Sequence, residues 1–546
     1  MNMDDIPQIT PSRRLWVIHP FLLSLYAVLA LLAQNKQEIP LGQAWRSLII
    51  LPLATLILLV ALRALLRDWS RAGLLTAIII LIVSSYGHIY EVLQRIHIGP
   101  FILGRHRYLL PLVAVLLALS IWRIGIRKPN VRFANQILNL TAVVLIAFPV
   151  VNLATYLRHI RDQGDPRSLN AIMLQTKLQP PGDAPLPDVY YIILDAYARS
   201  DYMLEYFGFD NSDFLDFLRS EGFYVAEQSH INHNWTILSL ASSLNMTFAQ
   251  DLGLDLVPDT YPFIFAGSIR DSVVRKTLEG VGYTTVGFRT GYMMTEVVNA
   301  DIFLAPDEVD LDRATESSSM NAFESMLLRS SLGLVLSDLT IGDIQTWTRT
   351  RIREPFDIMR QIILFQFETL PEVAAMSEPT FTFIHIISPH PPYIFGIEGE
   401  EVNQDGTFTL VEPPVASMGS KDALRYRDQA IYITVKAQAL IEAILQRSDT
   451  MPIIILQADH GSGAAPGWMD RSGDGMRQRM AILNAYLLPP QCADDLYPSI
   501  TPVNSFRVVF NCAYGGNIPL LEDRVYHSYF PRYRDYTFTL VNDELE

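Results

Sequence analysis

Cysteine is nearly absent: only Cys492 and Cys512 occur in 546 residues. That excludes a thiolate metal site of the CxxC kind and a disulfide scaffold. Positive charge is also short, with 42 Lys and Arg against 57 Asp and Glu, a net charge of −15. A nucleic-acid partner leaves a basic footprint, and none is present. Charged residues are only 18% of the chain and half of it is hydrophobic. A cleavable secretory leader does not account for this, because the apolar segments recur and no small-residue cleavage site follows the first.

The hydrophobicity is concentrated at the start. Five apolar segments run from Leu15 to Ala33, Ser47 to Leu62, Ala72 to Leu93, Tyr108 to Trp122 and Ile137 to Tyr156. A spanning helix needs about 20 mainly apolar residues. The second and fourth segments reach that length only if Arg63, Arg67, Arg105 or Arg123 snorkel to the interface. The expectation is therefore a multi-pass domain over residues 1–160 whose partner is the lipid bilayer. Loops carrying Arg63, Arg67 and Arg71, and then Arg123, Arg127, Lys128 and Arg132, are richer in Lys and Arg than the opposite loops. That bias places the amino terminus inside and whatever follows the fifth segment on the extracytoplasmic face of the cell membrane. Outside, Cys492 and Cys512 have the surroundings in which a disulfide forms.

Residues 161–187, with PPGDAPLP, read as a juxtamembrane linker. A second domain over 188–546 follows, with the rhythm of an α/β fold: a central, mostly parallel sheet flanked by helices. Val189 to Leu194 and Ile453 to Leu456 are short apolar runs with β-branched residues, the pattern of buried strands. The first ends at Asp195. The second is followed by Asp459 and His460, then a Gly461-Ser462-Gly463 turn. In open α/β sheets ligands gather outside the carboxyl ends of the strands. An acid and an imidazole there are one hard and one borderline metal ligand, although a polar turn explains the pair equally well. FTFIHIISPHPPY offers a third strand with His385 and His390 at its end. Thr236 opens the helical period Ile237, Leu240, Ala241 and Leu244, either as a helix N-cap or as a hydroxyl where anions are received.

Four fragments in order, ILDAYARSD, HNWTILSLASSLNM, HIISPHPPY and QADHGSG, together resemble the alkaline phosphatase/sulfatase superfamily. With spans preceding the domain, the chain is similar to lipoteichoic acid synthase and its membrane-bound, sulfatase-like relatives. The resemblance implies an alkaline-phosphatase-like fold. Asp195, Asp459 and His460, with Thr236, would hold one divalent ion, Thr236 would be the nucleophile, and His390 would meet the substrate with His385 in support. Two carboxylates, a hydroxyl and an imidazole suit Mn²⁺ or Zn²⁺, ahead of Mg²⁺ or Ca²⁺. The implied activity is transfer of a phosphoglycerol- or phosphoethanolamine-type group on an envelope lipid or glycan through a phospho-threonine. Alternatives are a membrane-anchored phosphodiesterase or sulfatase-like hydrolase, and a non-catalytic scaffold or binding protein. No Cys or Ser stands in a C-x-P-S-R or S-x-P-S-R context, so the formylglycine of true sulfatases cannot form. No His follows His460 within the next thirty residues, where phosphoethanolamine transferases carry another, and their several disulfides are missing.

Overall fold

The computed structural model describes residues 16–36, 41–94, 104–162, 185–254, 263–306, 322–337, 355–402, 420–463, 473–529 and 536–545, with a few short stretches between them. Nearly all of the expected linker at 161–187 lies outside the described residues. The chain divides into two compact units, residues 1–155 with 317–354, and residues 156–316 with 355–546.

The first unit is built from helices α1 (His19–Gln34), α2 (Trp45–Leu66), α3 (Trp69–Gln94), α4 (His106–Ile121) and α5 (Arg132–Asp162). Four helical runs are long and apolar enough to cross a membrane: Leu41–Leu66, Trp69–Gln94, His106–Ile126 and Arg132–Arg158. α1 is apolar too, but has 16 residues. The second and fourth expected segments lengthen to 26 and 21 residues because the helix continues through flanking arginines. Long side chains keep their charge in the interface while their stems lie along the helix. The Ala322–Ser330 helix, far along the chain, also belongs to this unit. Arg46 grips Glu324 through two bonds, Nε–Oε1 at 2.8 Å and Nη2–Oε2 at 2.6 Å, and Phe323 N–H donates to Gln43 Oε1 at 3.1 Å.

The second unit is organised on seven strands, β1 (Val189–Leu194), β2 (Tyr224–Val225), β3 (Thr284–Phe288), β4 (Ile302–Leu304), β5 (Thr380–Ile386), β6 (Ile453–Gln457) and β7 (Asn484–Leu487). Their order across the sheet is β2-β7-β6-β1-β5-β3-β4. β6, β1, β5, β3 and β4 are parallel, and β7 and β2 complete one edge antiparallel. Its helices are α6 (Ser200–Phe207), α7 (Ser212–Ser220), α8 (Thr236–Leu244), α9 (Phe263–Arg270), α10 (Val273–Gly280), α11 (Pro355–Val373), α12 (Ser420–Arg447), α13 (Gly473–Met480) and α14 (Pro502–Tyr514). Every residue of β1 is buried, as a strand covered on both faces requires. Tyr190, Ile192 and Leu194 share a core with Ile363, Phe367, Ile433 and Ile441 of α11 and α12. Tyr191 points the other way. Its hydroxyl bonds Ser243 of α8 at 2.8 Å and its ring meets Phe506 of α14 edge-on at 5.1 Å. The run from Ile500 to Asn511, whose sequence reads as helix or strand, is helical from Pro502 in α14, capped at its carboxyl end by Gly515 with φ 64°. Cys492 and Cys512 are joined as a disulfide.

Candidate metal and phosphoryl-transfer site

Strand register assembles the site. Leu194 pairs with Ile386 across β1 and β5, and Ile193 pairs with Gln457 across β1 and β6. The three central strands therefore end level, with Asp195, His385 and Asp459 at their carboxyl ends. Ala196, next to Asp195, takes a φ of 64°. In that left-handed turn its N–H donates to Asp459 Oδ1 at 3.1 Å. Loops after β5 and β6 add His390 and His460, and His390 N–H donates to the Asp195 carbonyl at 3.1 Å.

Thr236 enters from α8. The N-cap position belongs to Trp235, in extended backbone, and no side chain caps the helix. The Thr236 hydroxyl instead lies 3.1 Å from His460 Nε2, so the N-cap explanation of this residue falls away. The loop before it is clamped. Asn234 donates to and accepts from the Ser528 backbone at 3.0 and 2.9 Å, and Trp235 Nε1 donates to the Ser528 carbonyl at 2.8 Å. Asn234 and Asn245, both in glycosylation sequons, are fully buried.

The proton positions leave lone pairs facing one another. A carbonyl only accepts, so the 2.9 Å bond between His460 Nδ1 and Gly461 O fixes the proton on Nδ1. Nε2 then presents its lone pair to Asp195 Oδ1 at 3.4 Å and Asp459 Oδ2 at 3.3 Å. His390 Nδ1 likewise donates to Pro391 O at 2.5 Å. His385 Nδ1 meets Thr295 Oγ1 at 2.9 Å while Nε2 stands 3.2 Å from Asp195 Oδ2. Asp195 Oδ1, Asp459 Oδ2 and His385 Nε2 are buried with no hydrogen-bond partner. Burial alone would raise the Asp195 carboxyl, but His390 and His385 outweigh it and hold it below the usual range. Burial, and then the charge of Asp195, push Asp459 up to about 7. Burial and the Arg479 guanidinium keep His460 neutral.

Buried carboxylates opposed to imidazole lone pairs are unfavourable unless a cation lies between them. The geometry fits one. Ligands about 2.0–2.2 Å from an ion at tetrahedral angles would stand about 3.3–3.6 Å apart, and His460 Nε2 stands 3.3 Å from Asp459 Oδ2 and 3.4 Å from Asp195 Oδ1. Donor atoms of Asp195, His390 and His460, and of Asp195, His385 and Asp459, each lie within 4.8 Å of one another.

All six residues singled out from the sequence are thus gathered in one place. His385, expected beside the substrate, lies fully buried against Asp195. Two neighbours gave no sequence signal. Arg479, at the end of α13, is 1% exposed. Its Nε donates to Asn234 O at 3.1 Å and its guanidinium lies 5.9 Å from the Trp235 ring. Thr295, in the loop before β4, bonds His385. An arginine in RMAIL and a threonine in YMMTE have no local pattern that marks a site.

No family model and no curated protein matches this chain. Solved structures do. One is the C-terminal periplasmic domain of EcEptC from Escherichia coli in complex with Zn, at 11% identity over 67% of this chain and 95% of that one, TM-score 0.41. Another is the integral membrane protein lipooligosaccharide phosphoethanolamine transferase A (EptA) from Neisseria meningitidis, at 12% identity over 91% and 94%, TM-score 0.37. BT1596, a 2-O GAG sulfatase, aligns at 14% identity over 64% and 74%, TM-score 0.35. Likeness at this level leaves the functional reading to the site itself.

Proposed function

We propose that this protein is a metal-dependent phosphoryl-group transferase of the cell membrane. It moves a phosphoglycerol- or phosphoethanolamine-type group from a lipid to an envelope acceptor through a phospho-threonine at Thr236. The observation that carries this is the position of the Thr236 hydroxyl, half-buried at a helix amino terminus and 3.1 Å from His460 Nε2, beside two orphaned carboxylate oxygens. Asp195, Asp459, His460 and Thr236 would hold the ion, with His385 added to the set, and imidazole donors favour Zn²⁺ or Mn²⁺. A divalent ion so held lowers the pKa of the hydroxyl and offsets charge on a phosphoryl oxygen.

The chain's own groups do the rest. Free N–H groups at the start of α8 face the anion. Thr236 Oγ1 attacks phosphorus, a bond to threonine forms, and the bond to the lipid alcohol breaks. The Nε2 lone pair of His390 takes up the proton lost by Thr236 and passes it to the leaving oxygen. An acceptor hydroxyl then attacks the phospho-threonine and restores Thr236. Arg479 stabilises negative charge beside the reacting group. The excess of Lys and Arg in alternate loops and the Cys492–Cys512 disulfide support an extracytoplasmic second unit.

The test uses the full chain in detergent, loaded with Mn²⁺ or Zn²⁺ and given headgroup-labelled phospholipid. Acid quench should trap label on Thr236. The variant Thr236→Ala should keep its fold and lose turnover by about 10³-fold or more. Near-normal turnover in that variant would overturn the assignment. Product analysis with and without an acceptor alcohol separates transfer from hydrolysis.

A further inference from the structure

We infer that the first unit carries its own binding site for the phosphate of a glycerophospholipid headgroup, at the cavity where α3 ends and α4 begins. The cavity, of about 490 Å³, is lined by Tyr90, Gln94, Arg105, His106 and Arg107.

The loop is shaped to hold it. Gly104 N–H donates to Leu93 O at 3.1 Å. A Cβ at Gly104 would collide with the backbone of Tyr90 and Gln94, so only glycine lets the start of α4 press against the end of α3. Tyr86 fixes the floor: its hydroxyl bonds His106 Nδ1 at 2.7 Å, and Tyr90 stacks on the same ring at 4.4 Å. Above this lie two exposed guanidiniums. Among the described residues neither Arg105 nor Arg107 pairs with a carboxylate. Arg107 only lies over the Tyr108 ring, at 4.8 Å.

Three observations select a lipid phosphate as the occupant. Gln94 and His106 end two helices that are long and apolar enough to span, which puts the cavity at headgroup depth, where tyrosines also gather. Two unpaired guanidiniums suit a phosphodiester, which they grip with paired N–H donors. Finally, Arg105 and Arg107 stand at the amino-terminal end of α4, opposite the loops that hold the excess of Lys and Arg. Positive-inside bias therefore does not explain them, and a ligand does. With α4 and α5 both crossing, the amino-terminal end of α4 and the carboxyl end of α5 lie on one side of the membrane, so the site retains lipid on the side where the chain goes on toward Thr236. The proposal deepens the transferase reading and rests on it for the identity of the lipid as donor. Binding alone does not depend on that reading.

The experiment reconstitutes the full chain in nanodiscs with photoactivatable phosphatidylglycerol, phosphatidylethanolamine or diacylglycerol, and maps the adducts by mass spectrometry. Both phospholipids should label the stretch from Tyr90 to Tyr108, and diacylglycerol should not. Arg105→Ala with Arg107→Ala should lower labelling on the order of tenfold, as should Gly104→Ala. Labelling should persist in Thr236→Ala and after chelation, so an unaltered chain that is labelled but transfers no headgroup would sink the transferase reading and leave this site standing. Equal labelling by diacylglycerol, or undiminished labelling in the arginine double variant, would overturn the site. So would displacement of the lipid probe by millimolar inorganic phosphate, which would mark a pocket for soluble anions. If the double variant does not fold, the comparison of the three lipids in the unaltered chain decides.

Discussion

Because Gly461 O takes the Nδ1 proton of His460, that imidazole has only Nε2 to offer the site. Thr295 acts on His385 in the same way: its hydroxyl lies 3.1 Å from Tyr292 O, which only accepts, and its oxygen is left to receive Nδ1–H. Orienting bonds of this kind typically govern affinity by about 10–100-fold. Thr295→Val should therefore weaken metal binding by about that factor in a chelator competition, and His385→Ala should weaken it further. Unchanged affinity in both would remove His385 from the donor set. His233 makes a prediction of a different sort. Burial pushes its pKa down to about 3 from an ordinary value of 6.5. The unfolded chain takes up a proton there below pH 6.5 while the folded chain stays neutral. Its contribution to stability is thus complete above that pH and is lost as pH falls toward 3, at about 1.4 kcal/mol per pH unit. Unfolding curves of His233→Gln, which keeps an acceptor for the Ala249 N–H, should fall less steeply on acidification. Parallel pH profiles for the two proteins would refute it.

Among the elements, the turn after β6 has no room for a side chain at Gly461. Gly461 N–H donates to Arg479 O at 2.7 Å, and a Cβ at Gly461 would run into the carbonyls of Gln478 and Ala481. The turn that carries Asp459 and His460 is thus pressed onto the end of α13, which carries Arg479. Gly461→Ala must push these apart, at a cost of about 1–3 kcal/mol, and should lower both melting temperature and metal occupancy. A variant with normal metal content would show that the contact does not shape the site. The disulfide joins Cys492 to Cys512 of α14 over a separation of 20 residues. Closing a loop of that size contributes about 3 kcal/mol. Mass spectrometry of protein from cells should find both thiols protected from alkylation until reduction.

At the scale of the molecule, the chain returns to its first unit after half of the sheet is complete. The Ala322–Ser330 helix is held there by the Arg46–Glu324 pair, with the two side chains 21% and 13% exposed. Breaking a partly buried charged pair leaves the arginine without its carboxylate, so Glu324→Ala should destabilise the first unit by about 1–3 kcal/mol. The change should appear as a lower melting temperature of the detergent-solubilised chain with metal content intact. Loss of metal along with stability would indicate that the damage is not confined to that unit.

The sequence by itself determined what depends on local composition. Apolar runs dictate spanning helices, and β-branched runs such as Val189 to Leu194 become buried strands with the same limits. The polar residues just past those strands stand out because a strand's carboxyl end is where polar chemistry is tolerated. Tertiary structure decided what depends on which strands are neighbours. Parallel register sets Asp195 beside Asp459 and places His385, which pairs with Ile193, two residues behind them, across three strands that are remote in sequence. That register sets a turn-like Asp-His pair against Asp195. It also set His385 against Asp195 and brought Arg479 up beside Trp235. The return of residues 322–337 to the first unit was beyond reach in the same way, because an amphipathic helix carries no mark of which partner it will meet.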